Sequence, residues 1–260
     1  MSKSCFTTYI FSLCATCFLW CGTAEASEKA VFELWEKHVS TPEDHRGFIE
    51  SCREVVKANP NHPLLPVVRQ LEIWHLFKTG QLTEAEKLLN SQLSLPDSPL
   101  NQDARRLAMG WLTRLDREKV VNALKAYYKS EVEFPNNLSK LSGAVGLPLR
   151  DRFGKPWVYS LTGFSKLGGF ANQKYSLESE DLGDASDYQS VINLSYASGL
   201  EAEPVQMASD GGTPAVTFNL SGREVKMGVG QGVNGIFVSF IGEQIIVVCD
   251  NTFWKIFERP

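Results

Sequence analysis

The spacing of the apolar residues changes along the chain, and that change limits the folds open to it. From Glu28 to about Val132 they recur at helical spacing. Val31, Leu34, Trp35 and Val39 share one face, and Phe48, Ile49, Cys52, Val55 and Val56 repeat the pattern. From Ser190 onward the period is two, or short apolar runs lie between turns. A helical front half and a β-rich back half predict an α+β fold.

The breakers divide the front half into hairpins. Asn59-Pro60-Asn61-His62-Pro63 is a strong stop. A third helix then runs through Val67, Val68, Leu71, Trp74 and Leu76 and ends at Gly80. A fourth is expected to open on the capping box Thr83-Glu84-Ala85-Glu86 and to run through Leu88 and Leu89 to Pro96. Two helices, a Gly turn and "GQLTEAEKLL" resemble a tetratricopeptide-type hairpin over roughly Arg53 to Leu93. Such arrays need about three repeats to be stable, so the resemblance implies a single packing unit or docking surface, with plain core packing as the alternative. A later helix is expected to begin near Asp116 as its N-cap. It would carry Val120, Val121, Leu124 and Tyr128 on one stripe and end before Pro135.

Composition excludes some functions. With 43% hydrophobic and 22% charged residues over 260, the chain is too apolar for disorder. Its net charge of −4 offers no basic surface for nucleic acid. The first 26 residues read as a secretory signal peptide: Lys3 is the sole charge before Glu25, Tyr9 to Cys21 is an apolar-leaning stretch, and Ala24-Glu25-Ala26 supplies small residues before Ser27. The stretch is shorter than the roughly 20 residues a membrane span needs, and Trp20 before Cys21 argues against a lipoprotein. Export to the periplasm or cell envelope is therefore expected, with no transmembrane span in the mature chain. Cys5, Cys14, Cys17 and Cys21 would leave with the leader. Cys52 and Cys249 remain. In an oxidising compartment they could form a disulfide, the alternative being two buried thiols.

Between Arg117 and Leu182 the segments run "VVNALKAYYKSEVEFP", "LSKL", "LPLRDRFGKPWVYSL", a Gly-rich loop and "KYSLESEDLGD". This order resembles the globular part of the major pseudopilin of type II secretion. Phe134-Pro135 stands at that family's aromatic–proline pair. Asp151, Gly154, Pro156 and Tyr159 stand at its turn, and Tyr175 and Leu177 fit its last strand. The physical chemistry of these residues points to structure. Asp151 can bond the backbone beyond it, Gly154 can take a positive φ, and Pro156 fixes φ where a strand begins. Trp157 and Tyr159 would share the buried face of that strand. The motif therefore marks a fold. The family's leader, cleavage motif and long hydrophobic helix are not matched, so the resemblance implies an accessory of the machine rather than a fibre subunit. It also implies calcium in the acidic loop, where Glu180, Asp181, Asp184 and Asp187 are the candidate ligands beside Glu178. A solvated acidic turn is the alternative.

The back half predicts strands at Val191–Tyr196, Ala215–Leu220, Gly235–Ile241, Gln244–Cys249 and Phe253–Glu258. Their order resembles the small β domain of type II secretion and pilus-assembly periplasmic components. The expected organisation is a signal peptide over 1–26, helical hairpins over 27–115, a pseudopilin-like unit over 116–188 and a small β domain over 189–260.

Catalytic patterns fail on physical grounds. Gly230-Gln231-Gly232-Val233-Asn234-Gly235 fits a dinucleotide fingerprint by letters but is followed by strands, not the helix that would bind pyrophosphate. Gly163-Phe164-Ser165-Lys166-Leu167 misses the nucleophile elbow at its last position. His38, His45, His62 and His75 have no metal-ligand spacing. The sequence thus points to a non-enzymatic accessory of a type II secretion or type IV pilus-like machine, with secretion or pilus-assembly envelope proteins as partners. The alternatives are a periplasmic adaptor docking an unrelated partner through its helical half and, third, an envelope hydrolase.

Overall fold

Chain breakers set the helix boundaries of the front half. The computed structural model describes residues 28–141, 146–163, 173–197 and 199–260, so the leader reading lies outside the described residues. Residues 28–40 form α1. It is followed by α2 (His45–Ala58), α3 (Leu65–Lys78), α4 (Leu82–Gln92) and α5 (Pro99–Glu131), with a short α6 (Tyr188–Ile192) later. Asp44 caps α2 by accepting from the Gly47 N–H at 3.1 Å. Pro66 sits in the first turn of α3, where a missing N–H costs nothing. α3 buries residues on every face and is the central helix of the front half.

Two helix starts differ from expectation. α4 begins at Leu82 with Gln81 as its cap residue and no side-chain cap bond, which puts Thr83 inside the helix and leaves the capping box unformed. The tight Gly80 turn starts the helix earlier than the Thr/Glu pattern suggests. α5 is one helix of 33 residues capped by Ser98, whose hydroxyl accepts from the Asn101 N–H. Asp116 therefore lies in mid-helix, buried, and is not an N-cap. The apolar stripe Leu100, Leu107, Trp111 and Leu115 continues into Val120 and Leu124 without a breaker. Gly110 does not interrupt it. A Cβ there would lie 3.1 Å from the Asn251 carbonyl, so glycine lets the turn at Asn251 approach the helix. At about 1.5 Å per residue, α5 spans roughly 50 Å.

The strands form three antiparallel sheets among the described residues. β1 (Val158–Thr162) pairs with β2 (Lys174–Glu178). β3 (Glu203–Asp210), β4 (Thr213–Leu220) and β5 (Arg223–Gly228) form the second sheet. β6 (Gly232–Val233), β7 (Ile236–Ile241), β8 (Ile245–Cys249) and β9 (Trp254–Glu258) form the third. β4, β7, β8 and β9 stand where the sequence predicts them. Val191–Tyr196 does not form a strand, because Asp187 caps α6 by accepting from the Ser190 N–H at 2.6 Å and its first residues turn helical. β3 and β5 escaped the sequence because both are largely exposed and carry charged residues.

Three apolar clusters hold these elements. One joins Ile73, Trp74 and Phe77 of α3, Trp111 and Leu112 of α5, and Val216, Phe218, Val238 and Val248 of the sheets. A second joins Val31, Leu34, Phe48, Leu71 and Leu107 to Ile245, Val247, Trp254 and Ile256. β8 is buried at every position and serves both, Ile246 and Val248 facing one cluster while Ile245, Val247 and Cys249 face the other. That explains its continuous apolar run, and each such side chain contributes about 2 kcal/mol on burial. The third cluster, Val120, Val121, Leu124, Leu138, Leu141, Trp157 and Leu177, lies under the rear half of α5.

Candidate functional site

The turn before β1 is built around Asp151. One carboxylate oxygen accepts from the N–H groups of Phe153 at 3.0 Å and Lys155 at 2.9 Å, and the other accepts from the Ser179 hydroxyl at 2.7 Å. Gly154 has φ +85°, as the turn requires. Trp157 donates its ring N–H to the Pro148 carbonyl, and Tyr159 donates its hydroxyl to the Pro135 carbonyl, each at 2.7 Å. Burial, with a contribution from Tyr175, pushes the Tyr159 phenol up to about 12, so it remains a donor at neutral pH. Asp151 bonds the backbone beyond it, Gly154 takes the positive φ, and the Trp157 and Tyr159 side chains tie the turn to the Pro148 and Pro135 carbonyls.

Pro156, Trp157 and Tyr159, with Leu149, face Asn136, Asn137, Leu138 and Ser139 across an open groove of about 320 Å³. Leu149 is an exposed apolar side chain of that lining. A polar stripe of α5 holds the unit in place. The buried Asp116 accepts from Lys119 Nζ at 2.8 Å and from Arg152 Nε, while Thr113 Oγ1 accepts from the Arg152 N–H at 3.1 Å. Arg117 donates to the Leu177 carbonyl and to Asp187, both at 2.7 Å.

The four candidate calcium ligands are not brought together. Glu180 and Asp181 each pair with Lys155 Nζ at 3.1 Å, Asp184 opens a 3-10 turn (Asp184–Ser186), and Asp187 caps α6 and pairs with Arg117. Calcium needs six to eight convergent oxygens; a lysine and an arginine occupy the carboxylates instead. Among the described residues no group of three or more His, Cys, Asp or Glu could hold a metal ion.

Cys52 and Cys249 are both free buried thiols rather than a disulfide, although they share the second cluster. Burial raises both thiols, Cys249 to about 12 with the Asp103 carboxylate adding to the effect. Neither is a nucleophile at neutral pH. Cys249 Sγ lies 3.2 Å from Arg106 and 3.3 Å from the Ser239 hydroxyl, in a buried polar network that also includes Asp103.

Sequence reasoning missed one cluster. His38 of α1, His45 of α2 and His75 of α3 form a chain: His38 Nδ1 lies 2.9 Å from His75 Nε2, and His75 Nδ1 lies 3.0 Å from His45 Nδ1. Phe48 stacks on His75 with centroids 4.2 Å apart, and Tyr196 meets His38 edge-on at 4.5 Å. Burial, followed by the charge of His45, pushes the His38 imidazole down to about 4. Burial, then His38, His45 and Lys78, pushes His75 down to about 3. Both rings are therefore neutral at pH 7. The available signal was His75 itself, a lone imidazole beside Trp74 in an otherwise apolar helical run, which must find a partner when buried.

No family model, curated protein or solved structure matches this chain. Among the described residues, no helix is long and apolar enough to cross a membrane.

Proposed function

We propose that this protein is a non-enzymatic accessory of a type II secretion or type IV pilus-like envelope machine, exported to the envelope and working through protein contacts. The observation that carries the reading is the unit at the rear of α5, a helix packed on an antiparallel hairpin with the Asp151–Tyr159 turn at the joint. The side chains behind the resemblance spend their polar atoms on the local backbone. They shape the groove and leave its exposed apolar side chain, Leu149, to meet a partner. In this reading α3 and α4 act as a tetratricopeptide-like hairpin that braces the front of α5. The front of α5 packs against this chain's own α3 and β7, while its rear carries the groove.

The test is affinity capture of the tagged protein from crosslinked envelopes, wild type against a Leu149→Glu variant. Enrichment of pseudopilins or of their inner-membrane assembly partners by the wild type, reduced in the variant, supports the proposal. Enrichment of an unrelated partner that the variant retains would replace it with the adaptor reading.

A further inference from the structure

The histidine chain permits a proton count. In the neutral trio there are three ring protons, one per imidazole. His75 uses both nitrogens as links, so each link must hold one proton and the chain has a direction. The links take two protons, and one outer nitrogen, on His38 or on His45, carries the third. A fourth proton fills the remaining outer nitrogen and leaves both links intact. A fifth has nowhere to go except a nitrogen already accepting a hydrogen bond. It turns one link into two opposed N–H groups about 3 Å apart, and that link must open.

Charge decides which link opens. Glu43 lies 3.7 Å from His45 Nε2, and the His45 side chain keeps a partly open edge, so a cation on that ring would face a carboxylate and solvent. A second positive charge on the adjacent His75 would sit against both His45 and Lys78 of α3. On His38 it is one ring farther away. The other polar neighbours do not compensate. Lys37 of α1 is a cation committed to Ser51 and the Gly47 carbonyl, Asp44 is committed to capping α2, and Tyr196 presents a buried neutral ring. The His38–His75 link is the one lost, and it is the link between α1 and α3.

We infer that His45, His75 and His38 form an acid-triggered latch on α1. One proton is absorbed with the latch closed; a second breaks the His38–His75 link and loosens α1 from the α2–α3 hairpin. Loosening α1 uncovers Phe48, Cys52 and Val68, which Val31 and Leu34 help to cover.

Hydrogen exchange of the full-length chain tests this directly. Between pH 5 and pH 3, after correction for intrinsic rates, the peptide over residues 28–40 is expected to lose about tenfold or more protection relative to α5, each added proton contributing about tenfold per pH unit. The double variant His38→Asn/His45→Asn replaces two rings with amides that can flip to accept from a fully protonated His75, so it should lose no selective protection of α1. Equal selective loss in wild type and variant, or no selective loss in the wild type, overturns the latch. The wild type alone supplies a second measurement should the variant fail to fold. With nitrogen-labelled histidine near neutral pH, scalar couplings are expected across both N–H···N links, and the absence of either coupling overturns the proposal.

Discussion

The Glu28 carboxylate accepts a hydrogen bond from the backbone N–H of Gln244 at 2.8 Å, tying the start of α1 to the turn between β7 and β8. The Glu243 N–H donates to the same carboxylate at 3.3 Å, and Glu28 is buried. The first described helix thus caps a hairpin of the last sheet.

Glu28→Gln should destabilise the protein by about 1–2 kcal/mol, because the amide keeps one acceptor and loses the charge. Gly242→Ala should act through the same contact, since a Cβ there would run into the Glu28 carboxylate. Urea titration followed by tryptophan fluorescence measures both. If Glu28→Gln is as stable as wild type, the cap contributes nothing.

Asp116 anchors the Asp151 turn to α5 through Arg152 and Lys119. Asp116→Ala is expected to cost about 1 kcal/mol, because Arg152 and Lys119 lose their charged acceptor but remain open to solvent. The loss should appear first as amide shift changes across residues 150–156, with β8 unaffected. A perturbation spread evenly over the chain would contradict a local anchoring role.

Arg114 is buried, donating to the Ala185 carbonyl at 2.7 Å and to the Thr252 hydroxyl at 2.9 Å. Burial pulls its guanidinium down to about 10, Asp250 opposing, so it stays charged at neutral pH. Arg114→Met removes a buried charge but leaves two acceptors unmet, for an expected loss of about 2–4 kcal/mol by calorimetry. Arg114→Lys should recover only part of it, since an ammonium lacks the flat fork that reaches both.

Gly154→Ala should cost about 1 kcal/mol or more, since φ +85° is hostile to a side chain although the space around it is open. Tyr159→Phe should cost about 1 kcal/mol through the lost bond to the Pro135 carbonyl. Both variants reshape the groove, and thermal unfolding separates that effect from loss of fold.

The histidines fix a pH dependence. His38 and His75 ordinarily titrate at 6.5, and the fold pushes them down to about 4 and about 3. The folded state therefore binds fewer protons than the unfolded one at pH values between. Their stabilising contribution is complete above pH 6.5 and is lost as pH falls toward 3. The slope is about 1.4 kcal/mol per pH unit for each ring. His38→Asn should reduce that slope, which denaturant titrations at stepped pH would reveal.

The sequence was most legible where one local rule governs the backbone. The Asp151–Pro156 turn is written in an Asx acceptor, a glycine and a proline, and it forms as those residues dictate. The apolar run of β8 announces a strand buried on both faces. Legibility fails where the partner is remote. Asp116 reads as a cap because its local neighbours are helical formers, yet its role is set by Arg152, 36 residues on. The acidic loop reads as a ligand set until Lys155 and Arg117 arrive from other elements. The histidines lie on three helices, and no spacing along the chain reveals that their rings meet.

The sharing of one core between α1, α2 and the last two strands has a temporal consequence. A chain made from its N-terminus exposes Val31, Leu34 and Phe48 early, but Ile245, Val247, Trp254 and Ile256, which complete their cluster, are made last. The front hairpins therefore lack that cover until residues 245–256 have been made. Truncation by a few C-terminal residues should leave sticky, protease-sensitive helices, and maturation should occur late and in one concerted step.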